Sequence, residues 1–123
     1  MRTKYAEYPG YHTSLDDLSV ISPAGLNGSL TTLKNCVHVY ENNFVYNSVF
    51  PCEPQLGKRG LYAQISSKKE AFSHLFDMSN FLGYCDGKLD LLEISEVIGA
   101  DFPKLVSLAH TLEDAGLIKK VKK

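Results

Sequence analysis

The 123-residue chain has few cysteines and no long apolar run. Its cysteines, Cys36, Cys52 and Cys85, are odd in number and widely spaced, with no CxxC pair. This pattern excludes a disulfide framework or a zinc knuckle and favours a reducing, cytoplasmic setting. The opening residues, Met-Arg-Thr-Lys-Tyr, have no apolar core and predict no signal peptide. Since no run approaches about 18 apolar residues, we expect no membrane span.

The charge is nearly balanced, with 13 basic and 14 acidic side chains. No overall field therefore favours nucleic acid or an anionic membrane. Four lysines cluster in the tail, which we interpret as a solvated terminus: Lys119, Lys120, Lys122 and Lys123. The length and the 44% of hydrophobic residues predict a soluble globular protein of one ordinary domain or two small ones.

The common catalytic motifs are also missing. There is no GxSxG, no cysteine has a histidine nearby in the sequence, and QLGKRG is a weak match to a phosphate loop. The histidines, His12, His38, His74 and His110, form neither HxH nor HExxH. We interpret the last three as surface or satisfied polar residues on helices.

Residues 1–66 contain one amphipathic helix and long loops. The apolar positions of the helix are spaced three or four residues apart and share one face: Leu26, Leu30, Leu33, Val37 and Tyr40. Ser22 followed by Pro23 predicts its start, and Asn42-Asn43 its end. Residues 44–46 and 48–50 are predicted as extended segments of an ordered loop. A single apolar stripe needs a partner surface, so we expect this part not to close a core alone.

Residues 67–123 predict three helices and a strand. Capping boxes at Ser67-x-x-Glu70 and Asp90-x-x-Glu93 open the first two helices, which end in a turn at residues 85–87 and at Gly99. Asp101 can cap the third helix, which Gly116 ends, and residues 117–121 alternate as a strand. The predicted apolar faces are Phe72, Leu75, Phe76 and Leu82, with Met78 and Phe81 beside them, then Leu91, Ile94, Val97 and Ile98, then Leu105, Leu108, Ala109 and Leu112.

This order of elements is typical of a small helix-turn-helix or winged-helix unit. A DNA-reading helix needs basic or amide side chains near its start, and this one offers Lys104, Ser107 and His110 among carboxylates. The preceding helix carries Glu93 and Glu96 and no cation. Phosphates would meet the wrong sign of charge, so packing against protein is the favoured role.

The segment YHTSLDD, residues 11–17, follows a Pro-Gly turn and resembles the closing motif of M28-type dinuclear zinc aminopeptidases. In that motif, YHT-x-x-D, a loop delivers the last histidine ligand to one zinc. The resemblance assigns His12 to the ligand and Asp16 to the acidic residue four positions later. Neutral imidazole is a good zinc ligand, and its second nitrogen needs an orienting acceptor. The alternative is a purely structural role, in which Asp16 and Asp17 form Asx turns.

The whole chain resembles one bacterial branch of that superfamily, known by a domain-of-unknown-function label. Its members have a zinc-peptidase core interrupted by an inserted domain and followed by a C-terminal winged helix. Some are associated with surface-polysaccharide loci. The resemblance implies a C-terminal fragment, since the remaining zinc ligands and the glutamate general base would lie upstream of residue 1. We therefore expect no catalytic residue in this chain and no zinc bound by it alone.

These observations predict an α+β chain. Residues 1–66 would be a helix-and-loop piece of an α/β zinc-peptidase core, and residues 67–123 a winged-helix domain. The full-length parent would hydrolyse peptide-like substrates with zinc, while this chain would be inactive. The expected partners are the missing core or a second copy, with nucleic acid unlikely. The alternative is a stand-alone winged-helix interaction or DNA-binding module.

Overall fold

A computed structural model describes residues 4, 6–62 and 68–121, with the backbone alone for residues 68–73. In chain order the elements are a 3-10 helix Leu18–Val20, α1 (Pro23–Asn42), β1 (Val45–Ser48), a 3-10 helix Gly57–Arg59, α2 (Lys68–Tyr84), β2 (Asp86–Asp90), α3 (Leu91–Ile98), α4 (Phe102–Asp114) and β3 (Ile118–Lys120). They form two compact units, Met1–Glu41 and Asn42–Lys123. No helix in the described ranges is long and apolar enough to cross a membrane.

Helix α1 begins and ends where the sequence predicts. The amide of Gly25 donates to Ser22 Oγ at 3.0 Å, which satisfies one of the unpaired donors of the first turn. Pro23 stands at the first helical position, where its missing N–H costs nothing. No described residue up to Glu41 is buried. The first unit therefore has no apolar core among the residues described.

Strand β1 is the centre of a three-stranded antiparallel sheet with the order β2-β1-β3. Asn47 pairs with Asp86 of β2, and Tyr46 pairs with Lys120 of β3. The structure therefore divides the chain at Glu41 rather than near residue 66, because β1 and the loop after it belong with the helix-turn-helix unit. The sequence prediction placed residues 44–50 in the first part because strand pairing over this distance leaves no local pattern.

Strand β2 replaces the turn predicted at residues 85–87. Gly87 has a φ of +83° inside the strand, a conformation that L side chains rarely adopt. The register with β1 shifts between Val45 and Asn47, as at a β-bulge. A glycine beside such an irregularity reads as a turn in sequence, although here the chain continues as a strand.

The buried face of α2 differs from the predicted one. Met78, Phe81 and Cys85 are buried, with exposed fractions of 2% or less, whereas Phe76 is 66% exposed. The Phe81 ring meets Tyr46 of β1 edge-on, with the ring centroids 6.1 Å apart. The predicted Phe72 contact and the capping box at residues 67–70 lie outside the described side chains. Among the described side chains, positions 78, 81 and 85 therefore form the buried face of α2 and of the residue that follows it, and Phe81 on this face contacts β1.

The helix-turn-helix is confirmed. Asp90 caps α3 with a complete capping box: its carboxylate accepts from Glu93 N–H at 2.9 Å, and Glu93 accepts from Asp90 N–H at 2.9 Å. Gly99 ends α3 with a φ of +67°, and Gly116 follows α4 with a φ of +68°. Asp101 stands at the N-cap of α4 without a side-chain capping bond. All four predicted apolar residues of α4 are buried.

Candidate functional site

The histidine loop, defined here as residues 8–16, presents His12 to solvent. The backbone of His12 has a φ of +58°, in the left-handed region. Histidine is among the non-glycine residues found there, yet such a conformation still costs on the order of 1–3 kcal/mol and persists only where its surroundings enforce it. The structure of the loop must therefore supply that enforcement.

Two sets of hydrogen bonds close the histidine loop. The Tyr8 hydroxyl donates to Asp16, with its oxygen 3.0 Å from Oδ1 and 3.1 Å from Oδ2. Inside this closure, Thr13 Oγ1 donates to the Gly10 carbonyl at 2.8 Å and accepts from the Leu15 amide at 3.2 Å. A Cβ at position 10 would lie 2.9 Å from the Leu15 carbonyl oxygen, so only glycine fits there without a shift.

Aromatic contacts continue toward His12. Tyr8 and Tyr11 meet edge-on with centroids 5.7 Å apart, and Tyr11 meets the His12 ring edge-on at 4.3 Å. Tyr11 therefore contacts both the Tyr8 ring and the imidazole of His12. These contacts order one side of the ring and leave the residue exposed.

Asp16 was predicted to orient the imidazole of His12. The described hydrogen bonds of its carboxylate go to the Tyr8 hydroxyl instead. Asp17 instead caps the short helix Leu18–Val20, accepting from the Ser19 amide at 2.8 Å. Hydrogen bonding from Ser19 lowers the pKa of Asp17. Asp17 thus behaves as an ordinary turn residue, whereas Asp16 bonds to Tyr8, eight positions earlier in the chain.

The described residues do not form a zinc site. No group of three or more histidine, cysteine, aspartate or glutamate side chains within them could hold a metal. A protein zinc site takes at least three protein ligands. His12 could supply one ligand, and the rest would have to come from elsewhere.

An uncovered apolar surface, the α1 stripe, lies in the same unit as the histidine loop. It consists of Leu26 (62% exposed), Leu30 (50%), Leu33 (64%), Val37 (53%) and Tyr40 (88%). Leu15, Leu18, Val20 and Ile21 in the segment before the helix are also exposed. A soluble protein seldom leaves an apolar patch of more than a few hundred Å² uncovered. In the part of the chain that the structure describes, the α1 stripe thus remains exposed to solvent.

The helix-turn-helix has few free basic or hydrogen-bonding side chains, among those described, with which to bind DNA. Lys104, the one lysine on α4, forms an ion pair with Asp77 of α2. Lys120 of β3 pairs with Glu113 at 3.3 Å. The hydroxyls of Ser107 and Thr111 donate to carbonyls one turn back in their own helix, at 3.2 and 2.9 Å. The candidate reading face thus has its lysine charge already paired and its hydroxyl donors already used.

A cleft of about 630 Å³ opens beside the end of β1. Its walls come from residues 47–54, Leu56, the last turns of α2 and residues 85–86, and they include Phe50, Leu82 and Cys85. Burial raises the pKa of the Cys85 thiol from 9.0 to about 12, so this thiol is inert at neutral pH. Sequence reasoning missed this cleft because its walls come from separate elements.

Comparison with known proteins identifies the second unit. Residues 44–120 match the model of the winged helix-turn-helix family, and the chain belongs to that family. Residues 1–43 match a second family, described as a domain of unknown function (DUF4910). The junction of the two matches falls at the end of α1, beside the structural division at Glu41.

Two relatives come from Clostridium acetobutylicum. A protein described as a polysaccharide biosynthesis protein with an aminopeptidase-like domain is 38% identical over 122 residues, covering 98% of this chain and 28% of that protein. A crystal structure described as that of a peptidase is 36% identical with a TM-score of 0.76, covering 93% of this chain and 24% of its own. This chain spans about a quarter of either relative. The resemblance to aminopeptidase-like proteins is confirmed at that level.

Tyr8 is the site residue that sequence reasoning missed. Its distance of eight positions from Asp16 matches no helical or strand period, so the pair gave no periodic signal. The aromatic spacing Tyr8-x-x-Tyr11 beside a Pro-Gly turn was the available clue.

Proposed function

We propose that this chain is the part of a zinc aminopeptidase-like hydrolase that contributes one histidine ligand, His12, to the metal centre. The observation that carries the proposal is the combination of an exposed His12 at a positive φ with an uncovered α1 stripe in one unit. Both features are what a piece of a larger core would show. The relative with an aminopeptidase-like domain, of which this chain matches 28%, supports the aminopeptidase-like part of the proposal.

In this proposal zinc would supply the activated water for peptide hydrolysis, and the other ligands and the general base belong to the peptidase core. Here the "core segment" means the portion of the C. acetobutylicum relative that the match to this chain does not cover. The α1 stripe packs against that core, which removes its apolar side chains from water. Without the core, the same stripe drives self-association.

The winged-helix unit is proposed to pack against protein. Binding to a DNA duplex is disfavoured for two reasons. Lys104 is already paired with Asp77, and the carboxylates of Glu93 and Glu96 would repel phosphates. The alternative, a DNA-binding module, is favoured by the match to the winged helix-turn-helix family. Titration with a random duplex at low and moderate salt separates the two: we expect no salt-dependent shift, and a steep salt slope would support the alternative.

The metal assignment is tested by reconstitution. Mixing the chain with the core segment should give a complex that retains zinc on gel filtration and releases amino acid from an aminoacyl chromogenic substrate. The chain alone should do neither. His12→Asn should lower the zinc content of the complex, whereas His110→Asn, at another exposed histidine, should not. Equal zinc in both variants would remove His12 from the site.

A further inference from the structure

We infer that Tyr8 and Asp16 act as a clasp that sets the backbone conformation of His12 before any partner binds. The inference rests on the proposed function, because it gives a reason for fixing this histidine. Tyr8 and Asp16 are then positioning residues: they touch neither metal nor substrate and act through the loop between them.

The contact between Tyr8 and Asp16 is made through both oxygens of the carboxylate. One hydroxyl lies within 3.1 Å of both oxygens of one carboxylate, so the contact fixes the direction of the Tyr8 ring as well as its distance. Hydrogen bonds to charged groups are stronger than those between neutral groups. The two residues flank the loop, and closing them brings its ends together.

The aromatic contacts carry the effect inward. The Tyr8 ring, held by Asp16, meets Tyr11, and Tyr11 meets the imidazole of His12. The amide and the hydroxyl of Thr13 both donate to the Gly10 carbonyl, and these bonds form the inner turn that lets the chain reverse within this span. His12 at the tip takes a φ of +58°, which an open loop would have no reason to maintain.

A preset loop has a functional consequence. A histidine ligand that is already oriented loses less conformational freedom when its metal site is assembled. The chain would then associate with the core with its histidine ligand already oriented, rather than in a loop that has to become ordered on binding. Asp16 would serve the ligand through the backbone and Tyr11, not by a bond to the imidazole.

The test uses the full chain labelled with ¹⁵N. A positive φ brings the amide and α protons of a residue close together, so His12 should show a strong intraresidue Overhauser signal. Tyr8→Phe and Asp16→Ala should weaken it, with a shift of roughly threefold or more in the ratio of closed to open loop, as expected when one exposed hydrogen bond is lost. Asp16→Asn should retain part of the signal, because its amide oxygen can still accept.

Two further variants calibrate the measurement. Gly10→Ala shows the signal of a distorted loop, since its Cβ would clash with the Leu15 carbonyl. Asp17→Ala removes a neighbouring carboxylate that caps Ser19, so it should change the Ser19 amide and leave the His12 signal intact. These two variants bracket the response expected from the clasp variants.

An unchanged His12 signal in both Tyr8→Phe and Asp16→Ala would overturn the clasp and leave the metal assignment standing. Conversely, retained zinc in the reconstituted His12→Asn complex would overturn the metal assignment while the clasp remained a property of the loop. Failure of the clasp is therefore seen in the Overhauser signal of the Tyr8 and Asp16 variants, whereas failure of the metal assignment is seen in the zinc content of the His12 variant.

Discussion

The two units of this chain treat their apolar side chains in opposite ways. Within residues 42–123, fifteen of the described hydrophobic side chains are buried, in a unit built from a sheet and three helices. In residues 1–41 no described leucine, valine or isoleucine is buried, and the α1 stripe is exposed along its length. The second unit has what an independent domain needs, whereas the first has only the local features of one.

This difference shows that regular secondary structure does not imply a core. Helix α1 is capped, long and correctly patterned, yet its apolar face meets no buried cluster. Most helical stability in proteins comes from packing an amphipathic face rather than from propensity. The first unit is therefore expected to gain its stability from a partner.

The largest effect should come from truncating the core of the second unit. Phe81→Ala removes a fully buried ring that contacts Tyr46, and we expect it to lower the free energy of unfolding by about 3–5 kcal/mol. Leu30→Ala, on the half-exposed stripe of α1, should change it by less than about 0.5 kcal/mol. Urea unfolding of the two variants makes the comparison, and equal losses would mean that α1 has a core of its own.

Alkaline pH should weaken the second unit selectively. Burial raises the pKa of Tyr46 from 10.0 to about 12, as it does for Cys85. Between those values the unfolded chain gives up its protons first, so stability is full below about pH 9 and falls as the pH rises toward 12. Tyr46→Phe should flatten this decline in thermal melts at a series of pH values. Tyr40→Phe, on the exposed stripe, should leave the decline as steep as in the unaltered chain.

A smaller effect separates two aspartates at equivalent helix positions. Asp90→Ala should cost about 0.5–2 kcal/mol of unfolding free energy, because its side chain caps α3 and also accepts from Asn43 Nδ2 at 2.9 Å. Asp101→Ala should cost a few tenths at most, since Asp101 makes no capping bond to α4. Denaturant midpoints of the two variants provide the measurement. A reversed order would contradict the capping geometry.

The sequence predicted those features that depend on neighbours along the chain. The start of α1 at Ser22–Pro23, the capping box at Asp90 and the stop at Gly116 are all local signals, and all are confirmed. His12 was singled out by a motif of consecutive residues. Its place as a metal ligand stays a prediction.

The features that depend on distant pairing were not predicted. The central position of β1 needs partners at residues 86–90 and 118–120, and the division of the chain at Glu41 follows from that pairing. On α2, Phe76 was as good a core candidate as Met78 by hydrophobicity, and only the tertiary packing of the helix, which leaves Phe76 exposed and buries Met78, decides between them. Tyr8 and Asp16 meet for the same kind of reason, through a loop whose closure has no period.

Amide hydrogen exchange across both units, with and without the core segment, tests the central claim most directly. In the chain alone we expect the slowest exchange in Leu105–Leu112 of α4 and faster exchange in residues 6–22 and along α1. Adding the core segment should slow exchange in α1 and the histidine loop and leave α4 unchanged. If α1 in the chain alone were already protected as strongly as α4, with no further gain from the core segment, the first unit would be complete in itself and the account would be wrong.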